Sequence, residues 1–123
     1  MKSNLSDGEW ILMKALWESA PMTITQLTAA LKNTTGWSKH TIISMLSRLE
    51  VKGAVTYESN GRAKLYSPVI LQEDAALRET SQFLDKVFDG RLGVMLNTMM
   101  NSRKLTQEDL AELSAIFEKT KEE

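Results

Sequence analysis

The chain has 123 residues, 42% of them hydrophobic and 25% charged, which fits one globular core with a small appended element. It has no apolar run of about eighteen residues and no charged-then-apolar leader, so we expect a cytoplasmic protein without a membrane partner. Because Cys is absent, disulfides, thiolate metal sites and cysteine nucleophiles are excluded. We expect neither a metal nor another cofactor.

The net charge of −1 hides an asymmetry between the two halves of the chain. Up to Pro68 there are eight Lys or Arg against five Asp or Glu, a balance of +3, which leaves −4 for the remainder. This pattern favours a basic module over residues 1–70 joined to an acidic helical segment over residues 71–123.

The first predicted helix begins after Ser6, where Ser6 and Glu9 have the spacing of a capping box, and it ends near Ser19 before Pro21. Helical spacing predicts an apolar face of Trp10, Met13, Leu16 and Trp17, flanked by Ile11 and Leu12. We interpret the tryptophans as structural residues rather than platforms for nucleic-acid bases.

A second cap signal at Thr23 to Gln26 predicts a short helix that ends near Asn33. The residues from Thr34 to Gly36 then predict a tight turn. Two helices separated by a few turn residues are typical of a helix-turn-helix.

The third predicted helix lies between Trp37 and Gly53, with Ser38 as N-cap and Gly53 at the position that tolerates a positive φ. Its apolar stripe is Ile42, Met45, Leu46 and Leu49. The opposite side carries short hydroxyls and cations: Lys39, Thr41, Ser44, Ser47, Arg48 and Lys52. Small polar and positive side chains can approach a DNA groove closely, which indicates a recognition helix.

Alternating residues around an Asn60-Gly61 turn signal predict a β-hairpin after the three helices, and this order is that of a winged helix. Arg62 and Lys64 then stand on alternate positions after the turn, from which both could reach phosphates. The alternative is a charged edge that only prevents aggregation.

Three further helices are predicted beyond Pro68: one from Leu71 to Asp89 ending at Gly90, one from Leu92 to Met100 that is apolar nearly all round and should be buried, and one capped by Thr106 to Asp109. About fifty residues cannot cover this much apolar surface, which predicts a homodimer. The predicted dimerisation residues are Leu84, Val87, Phe88, Leu92, Met95, Leu96, Met99, Leu110, Leu113, Ile116 and Phe117. A ligand pocket at the Met cluster is the alternative.

Several short motifs together resemble the penicillinase-repressor and methicillin-resistance-repressor family. They are Glu9-Trp10, Leu16-Trp17, Trp37-Ser38 followed by Thr41-Ile42, Leu46-x-Arg48-Leu49-x-x-Lys52-Gly53, and Tyr66 at the end of the wing. The similarity spans nearly the whole chain. It implies a mostly α winged helix-turn-helix protein with a helical dimerisation arm, acting as a homodimeric repressor on a palindromic, double-stranded DNA operator, with genes of the beta-lactam-resistance type among the candidates for regulation.

The resemblance also carries over to individual positions. Thr41, Ser44 and Arg48 match positions from which such repressors touch the groove or backbone, whereas Ile43 stands where some relatives place a polar or cationic residue. The complete predicted DNA-contact set is Ser38, Lys39, His40, Thr41, Ser44, Ser47, Arg48, Arg62 and Lys64. For His40, a contact with a base or phosphate and the absence of any role are equally open.

The best-studied relatives are inactivated by a regulatory protease that cuts the dimerisation arm. The corresponding stretch is Leu96-Asn97-Thr98-Met99, so Asn97, Thr98 and Met99 mark the candidate cleavage region, although no Asn-Phe bond occurs there. Copper-responsive relatives bind metal through C-terminal cysteines, which this chain lacks.

Two other readings stay open at this point. Winged helices also serve as protein-interaction modules, and a winged-helix regulator could sense a small molecule near Met95 to Met100. An enzyme is not expected, because no Ser, His and carboxylate are spaced as a triad.

Overall fold

The computed structural model describes residues 4–121, which form six helices and one two-stranded antiparallel hairpin, as the sequence predicts for a winged helix. The elements are α1 (Asp7–Ser19), α2 (Ile24–Thr35), α3 (Lys39–Val51), β1 (Val55–Asn60), β2 (Ala63–Pro68), α4 (Gln72–Phe88), α5 (Leu92–Asn101) and α6 (Gln107–Lys121). The chain divides within α4 into two compact units, a first unit that ends at Glu79 and a second unit that begins at Thr80.

Four of the helices begin where a Ser or Thr side chain satisfies an unpaired backbone group. The hydroxyls of Ser6, Thr23, Ser38 and Thr106 each accept the backbone N–H three residues later, at 3.1 to 3.2 Å. These caps confirm the predicted starts of α1, α2, α3 and α6. Each of these starts depends on a contact between residues three positions apart, which the local sequence supplies.

The core of the first unit lies where α1, α2 and α3 meet. Its largest fully buried apolar side chains are Leu12, Met13, Leu16, Leu27, Ile42, Leu46 and Leu49. Leu12 is therefore a central residue and not a flanking one, whereas Ile11 is 40% exposed. Trp10 and Trp17 pack at the edge of this core, with ring centroids 5.6 Å apart. Both tryptophans therefore have a structural role.

Helix α2 extends two residues beyond the predicted end. Thr34 and Thr35 are helical, and their hydroxyls donate to the carbonyl of Leu31, at 3.3 and 2.8 Å. Gly36, with a φ of 67°, ends the helix in the left-handed conformation. The predicted turn over Thr34 to Gly36 was therefore wrong, and the connection to α3 consists of residues 36–38.

The hairpin pairs Tyr57 with Tyr66 and Asn60 with Ala63, so its two-residue turn is Gly61-Arg62. The turn lies one residue later than the Asn60-Gly61 signal suggested. Only Gly61 of these turn residues has a positive φ, 67°, which excludes a type I′ turn. The strand β2 is also tied to the segment before α2, since Met22 and Tyr66 exchange two backbone hydrogen bonds of 3.0 and 2.8 Å.

In the second unit, neither α5 nor α6 contains a buried residue. The prediction that α5 is buried was therefore wrong for the single chain, because α6 and the end of α4 leave much of it uncovered. The most exposed large apolar side chains of this unit are Phe83, Val87, Leu92, Met100, Ile116 and Phe117, which we call the exposed apolar residues. Among residues 4–121, no helix combines the length and hydropathy that crossing a bilayer requires.

Candidate nucleic-acid interface

The outward side of α3 is a ridge of small polar side chains. His40, Ser44 and Ser47 are exposed and lie on the opposite side of the helix from the buried stripe. The same side ends at Val51, which is 89% exposed. We call residues 40, 44 and 47 the polar ridge; it presents hydrogen-bonding groups with little steric bulk.

The first turn of α3 is held by its own cap. Ser38 accepts the N–H of Thr41 at 3.2 Å, and the two hydroxyls lie 3.1 Å apart. These two predicted contact residues therefore share a hydrogen bond at the end of the helix. This end carries the positive pole of the helix dipole, which favours an anion such as a phosphate.

A groove of about 460 Å³ runs between α3 and the hairpin, and we call it the α3–hairpin groove. It brings together the predicted contact residues Lys39 and Ser47 with Arg62 and Lys64 of the hairpin. The single carboxylate among the lining residues belongs to Glu50. Three cations thus line a groove next to the polar ridge.

The hairpin places its two cations differently from the prediction. Arg62 lies in the turn itself and not on the strand after it, so the two side chains do not share a strand face. Lys64 lies on the same face as Tyr57, with its ammonium 4.3 Å from the centre of that ring. Arg62 is exposed at the tip, whereas Lys64 is oriented by the aromatic ring.

The other flank of α3 is organised by a buried carboxylate that the sequence reading treated only as a capping residue. Glu9 is 1% exposed. Its Oε1 accepts the Ser6 N–H at 2.8 Å and the Lys52 ammonium at 2.5 Å. Lys52 also donates to the carbonyl of Asn4 at 2.8 Å, so it does not belong to the outer face as predicted.

The hydrogen bonds around Glu9 determine its charge. Burial by itself raises the pKa of the Glu9 carboxyl, but the hydrogen bonds from Lys52 and Ser6 and the positive charge of Lys52 outweigh it, and the pKa lies below its usual value. The Oε2 atom is buried without a hydrogen bond and lies 3.9 Å from Nε of Arg48. Glu9 is therefore an anion that attracts two cations, Arg48 of α3 and Lys52 at the C-cap of that helix.

Arg48 keeps most of its side chain accessible, with 60% exposed. It lies on the flank of α3 that faces Glu9, whereas Lys39 lines the groove toward the hairpin. The polar ridge therefore has cations on both sides, which is the arrangement needed to place small side chains between two phosphate backbones.

A family model described as Penicillinase repressor matches residues 5–119. The chain belongs to this family. Its sequence is 32% identical to the penicillinase repressor of Bacillus licheniformis over 117 residues, which cover 95% of this chain and 91% of the relative. It is 22% identical to the methicillin resistance regulatory protein MecI of Staphylococcus aureus strain N315 over 115 residues, 94% of each protein.

Part of the fold is also that of a solved relative. The monomeric form of Bacillus licheniformis BlaI, in complex with the blaP half-operator, superposes with a TM-score of 0.53 and 34% identity over 60% of this chain and 90% of that chain. Members of the penicillinase repressor family are DNA-binding transcriptional repressors, and the predicted family is thus confirmed.

The second unit of this repressor holds all the residues predicted for dimerisation. Four are more than a third exposed, namely Val87, Leu92, Ile116 and Phe117, and the others are half-buried. A cleft of about 340 Å³ separates α5 from α6 and is lined by Met95, Leu96, Met99, Leu105, Asp109, Glu112, Leu113 and Ile116.

The predicted cleavage region lies in the middle of α5. Asn97 and Thr98 are exposed, and the hydroxyl of Thr98 donates to the carbonyl of Val94 at 2.9 Å. The backbone of this stretch is therefore helical in the intact chain.

Proposed function

We propose that this repressor binds a palindromic operator as a homodimer, with α3 of each copy in the major groove. The observation that carries the proposal is the polar ridge of α3, which lies between Lys39, Arg62 and Lys64 on one side and Arg48 on the other. Occupying a promoter in this way blocks transcription of the gene beside it.

The contacts follow from the positions of the side chains. His40, Ser44 and Ser47 lie where base edges would be read, while Lys39, Arg62 and Lys64 on one side and Arg48 on the other would bind phosphates. Ser38 and Thr41 would bind a phosphate at the helix N-terminus.

Dimerisation is supported by the exposed apolar residues of the second unit. A helix whose sequence is apolar nearly all round, yet has no buried residue in the single chain, requires a cover. A second copy provides it and places two recognition helices about 34 Å apart, one helical turn of DNA.

Release by proteolysis would require a change in α5. Residues 96–99 must leave the helix before a protease can bind them as an extended substrate. We propose that α5 is the element whose local unfolding controls this cleavage.

The test is binding of the purified protein to its own upstream DNA and to a scrambled duplex of equal length, in a salt series, with the mass measured in parallel. We expect a dimer that selects its own DNA and whose affinity falls steeply with salt. Arg48→Ala should weaken binding and reduce the salt slope by about one, whereas Lys14→Ala, on α1, should not.

A folded dimer that does not distinguish the two duplexes would contradict the proposal and would favour a protein-interaction module. Equal affinity of the wild type and the Arg48→Ala variant for the DNA would show that Arg48 does not contact it.

A further inference from the structure

Ile43 is the large apolar side chain that α3 contributes to the α3–hairpin groove, beside the cations Lys39, Arg62 and Lys64. Ile43 is 42% exposed, although its neighbour Ile42 is completely buried. The core contacts of α3 are made by Ile42, Met45, Leu46 and Leu49, so Ile43 is not part of the buried stripe. Its exposed portion needs another explanation than core packing.

The neighbours of Ile43 place it on the side that would face DNA. Lys39 precedes it by four residues and Ser47 follows it by four, so the three side chains form one row along the helix. All three line the α3–hairpin groove together with the hairpin cations. The cations proposed to bind phosphates therefore lie beside the exposed side chain of Ile43.

In the major groove, an apolar side chain finds one matching chemical group. The base edges there present hydrogen-bond donors and acceptors, with the exception of the C5-methyl group of thymine. An isoleucine against any other edge would leave a polar group desolvated without a partner. The chemistry of Ile43 thus selects thymine.

Resting on the proposed function, we propose that Ile43 determines specificity by contacting a thymine methyl group in each half of the operator. Val51 is even more exposed, at 89%, but it lies at the C-terminal end of α3, whereas recognition helices read bases with their N-terminal residues. Val51 therefore provides a matched control, an exposed apolar residue of the same helix outside the contact.

The experiment begins with duplexes selected from a random pool by the full-length protein. Each thymine of the selected duplex is replaced singly by deoxyuridine, which removes only the methyl group. At one position in each half-site we expect a three- to fivefold weaker affinity, about the effect of burying one methyl group. Ile43→Ala should abolish this difference, whereas Ile43→Val and Val51→Ala should retain it.

The outcomes separate the two proposals. If no duplex is selected, the proposed function fails. If duplexes are selected but the wild type tolerates every deoxyuridine, the role of Ile43 is overturned while the repressor stands. Persistence of the methyl effect in Ile43→Ala, or its loss in Val51→Ala, would also overturn it. Tryptophan fluorescence melting of each variant establishes that the first unit is folded.

Discussion

At the scale of single residues, Glu9 connects the beginning of α1 to the end of the recognition helix. Its carboxylate Oε1 accepts hydrogen bonds from the Ser6 N–H of the cap before α1 and from the Lys52 ammonium after α3. A buried anion is stable only when it is paired in this way, and removal of one partner leaves the other desolvated. Glu9 therefore positions the C-terminal turn of α3 relative to α1.

The lowered pKa of Glu9 predicts how stability depends on pH. Because the folded-state pKa lies below the usual 4.5, the stabilisation is complete above pH 4.5 and is lost as the pH falls through the lower, folded-state value. Glu9→Gln should cost about 1 to 3 kcal/mol of unfolding free energy at pH 7. It should also flatten the loss of stability on acidification. Denaturant titrations followed by tryptophan fluorescence, from pH 7 to 3, measure both effects.

The exposed Glu58→Gln on β1 is the matched control, since it removes a carboxylate from the same unit without a buried pair. Parallel pH curves for Glu9→Gln and the wild type would contradict the role of the Glu9 charge.

The contacts of Glu9 differ in whether the sequence alone predicts them. Ser6 and Glu9 are three residues apart, so their capping box could be predicted from local spacing. The bond between Glu9 and Lys52 joins residues 43 positions apart and depends on how α1 packs against α3. No local pattern contains that information, and Lys52 was consequently placed on the wrong side of the helix.

At the scale of elements, the hairpin depends on one backbone conformation. Gly61 has a φ of 67°, a backbone conformation that residues with a Cβ adopt at a cost of about 1 to 2 kcal/mol. Gly61→Ala should therefore loosen the turn that carries Arg62 and weaken DNA binding. The melting temperature of the first unit should fall only slightly, because Tyr66 still anchors β2. Binding titration and fluorescence melting give the two quantities.

Asn60→Ala serves as the comparison, since this neighbouring strand residue has no positive φ. The same loss of binding in both variants would mean that side-chain contacts at the tip matter and the turn conformation does not.

Element boundaries were predicted well at helix starts and less well at ends and turns. A helix start needs one hydroxyl and one backbone N–H, which residues three positions apart supply. The end of α2 depends on whether Thr34 and Thr35 bond back to the helix or continue into a turn, and both conformations suit a threonine. The hairpin turn shifted by one residue because Gly61 suits either central position of a short turn.

At the scale of the whole molecule, the second unit has exposed apolar side chains and no buried residue in α5 or α6. The helical pattern of α5 predicts burial, which the single chain does not show, and the pattern cannot specify what would cover the helix. Periodicity identifies an apolar face, and the same face serves for contacts within one chain or between two copies. The single chain leaves α5 without a buried residue, so the pairing itself stays a prediction.

A charge placed in this unit should separate the copies. Met99 is half-buried in the cleft between α5 and α6, whereas Asn97 on the same helix is exposed and polar. Met99→Glu should convert a dimer into a monomer at micromolar concentration, because it would bury an unpaired carboxylate, and Asn97→Glu should leave the dimer intact. Sedimentation at several concentrations measures the change in mass.

A dimeric Met99→Glu variant would contradict this assignment. A wild type that is monomeric at all concentrations would contradict the homodimer itself.

The exposure of a methionine in α5 determines how fast it is oxidised. Peroxide converts an accessible thioether into a sulfoxide, and Met100 is 52% exposed in the single chain, whereas Met13 in the first unit is completely buried. Met100 should therefore oxidise quickly in a monomer and slowly when a second copy covers it, with Met13 as an internal standard in the same molecule. The oxidation rate of one side chain, read by mass spectrometry, thus becomes a measure of assembly that needs neither a label nor DNA.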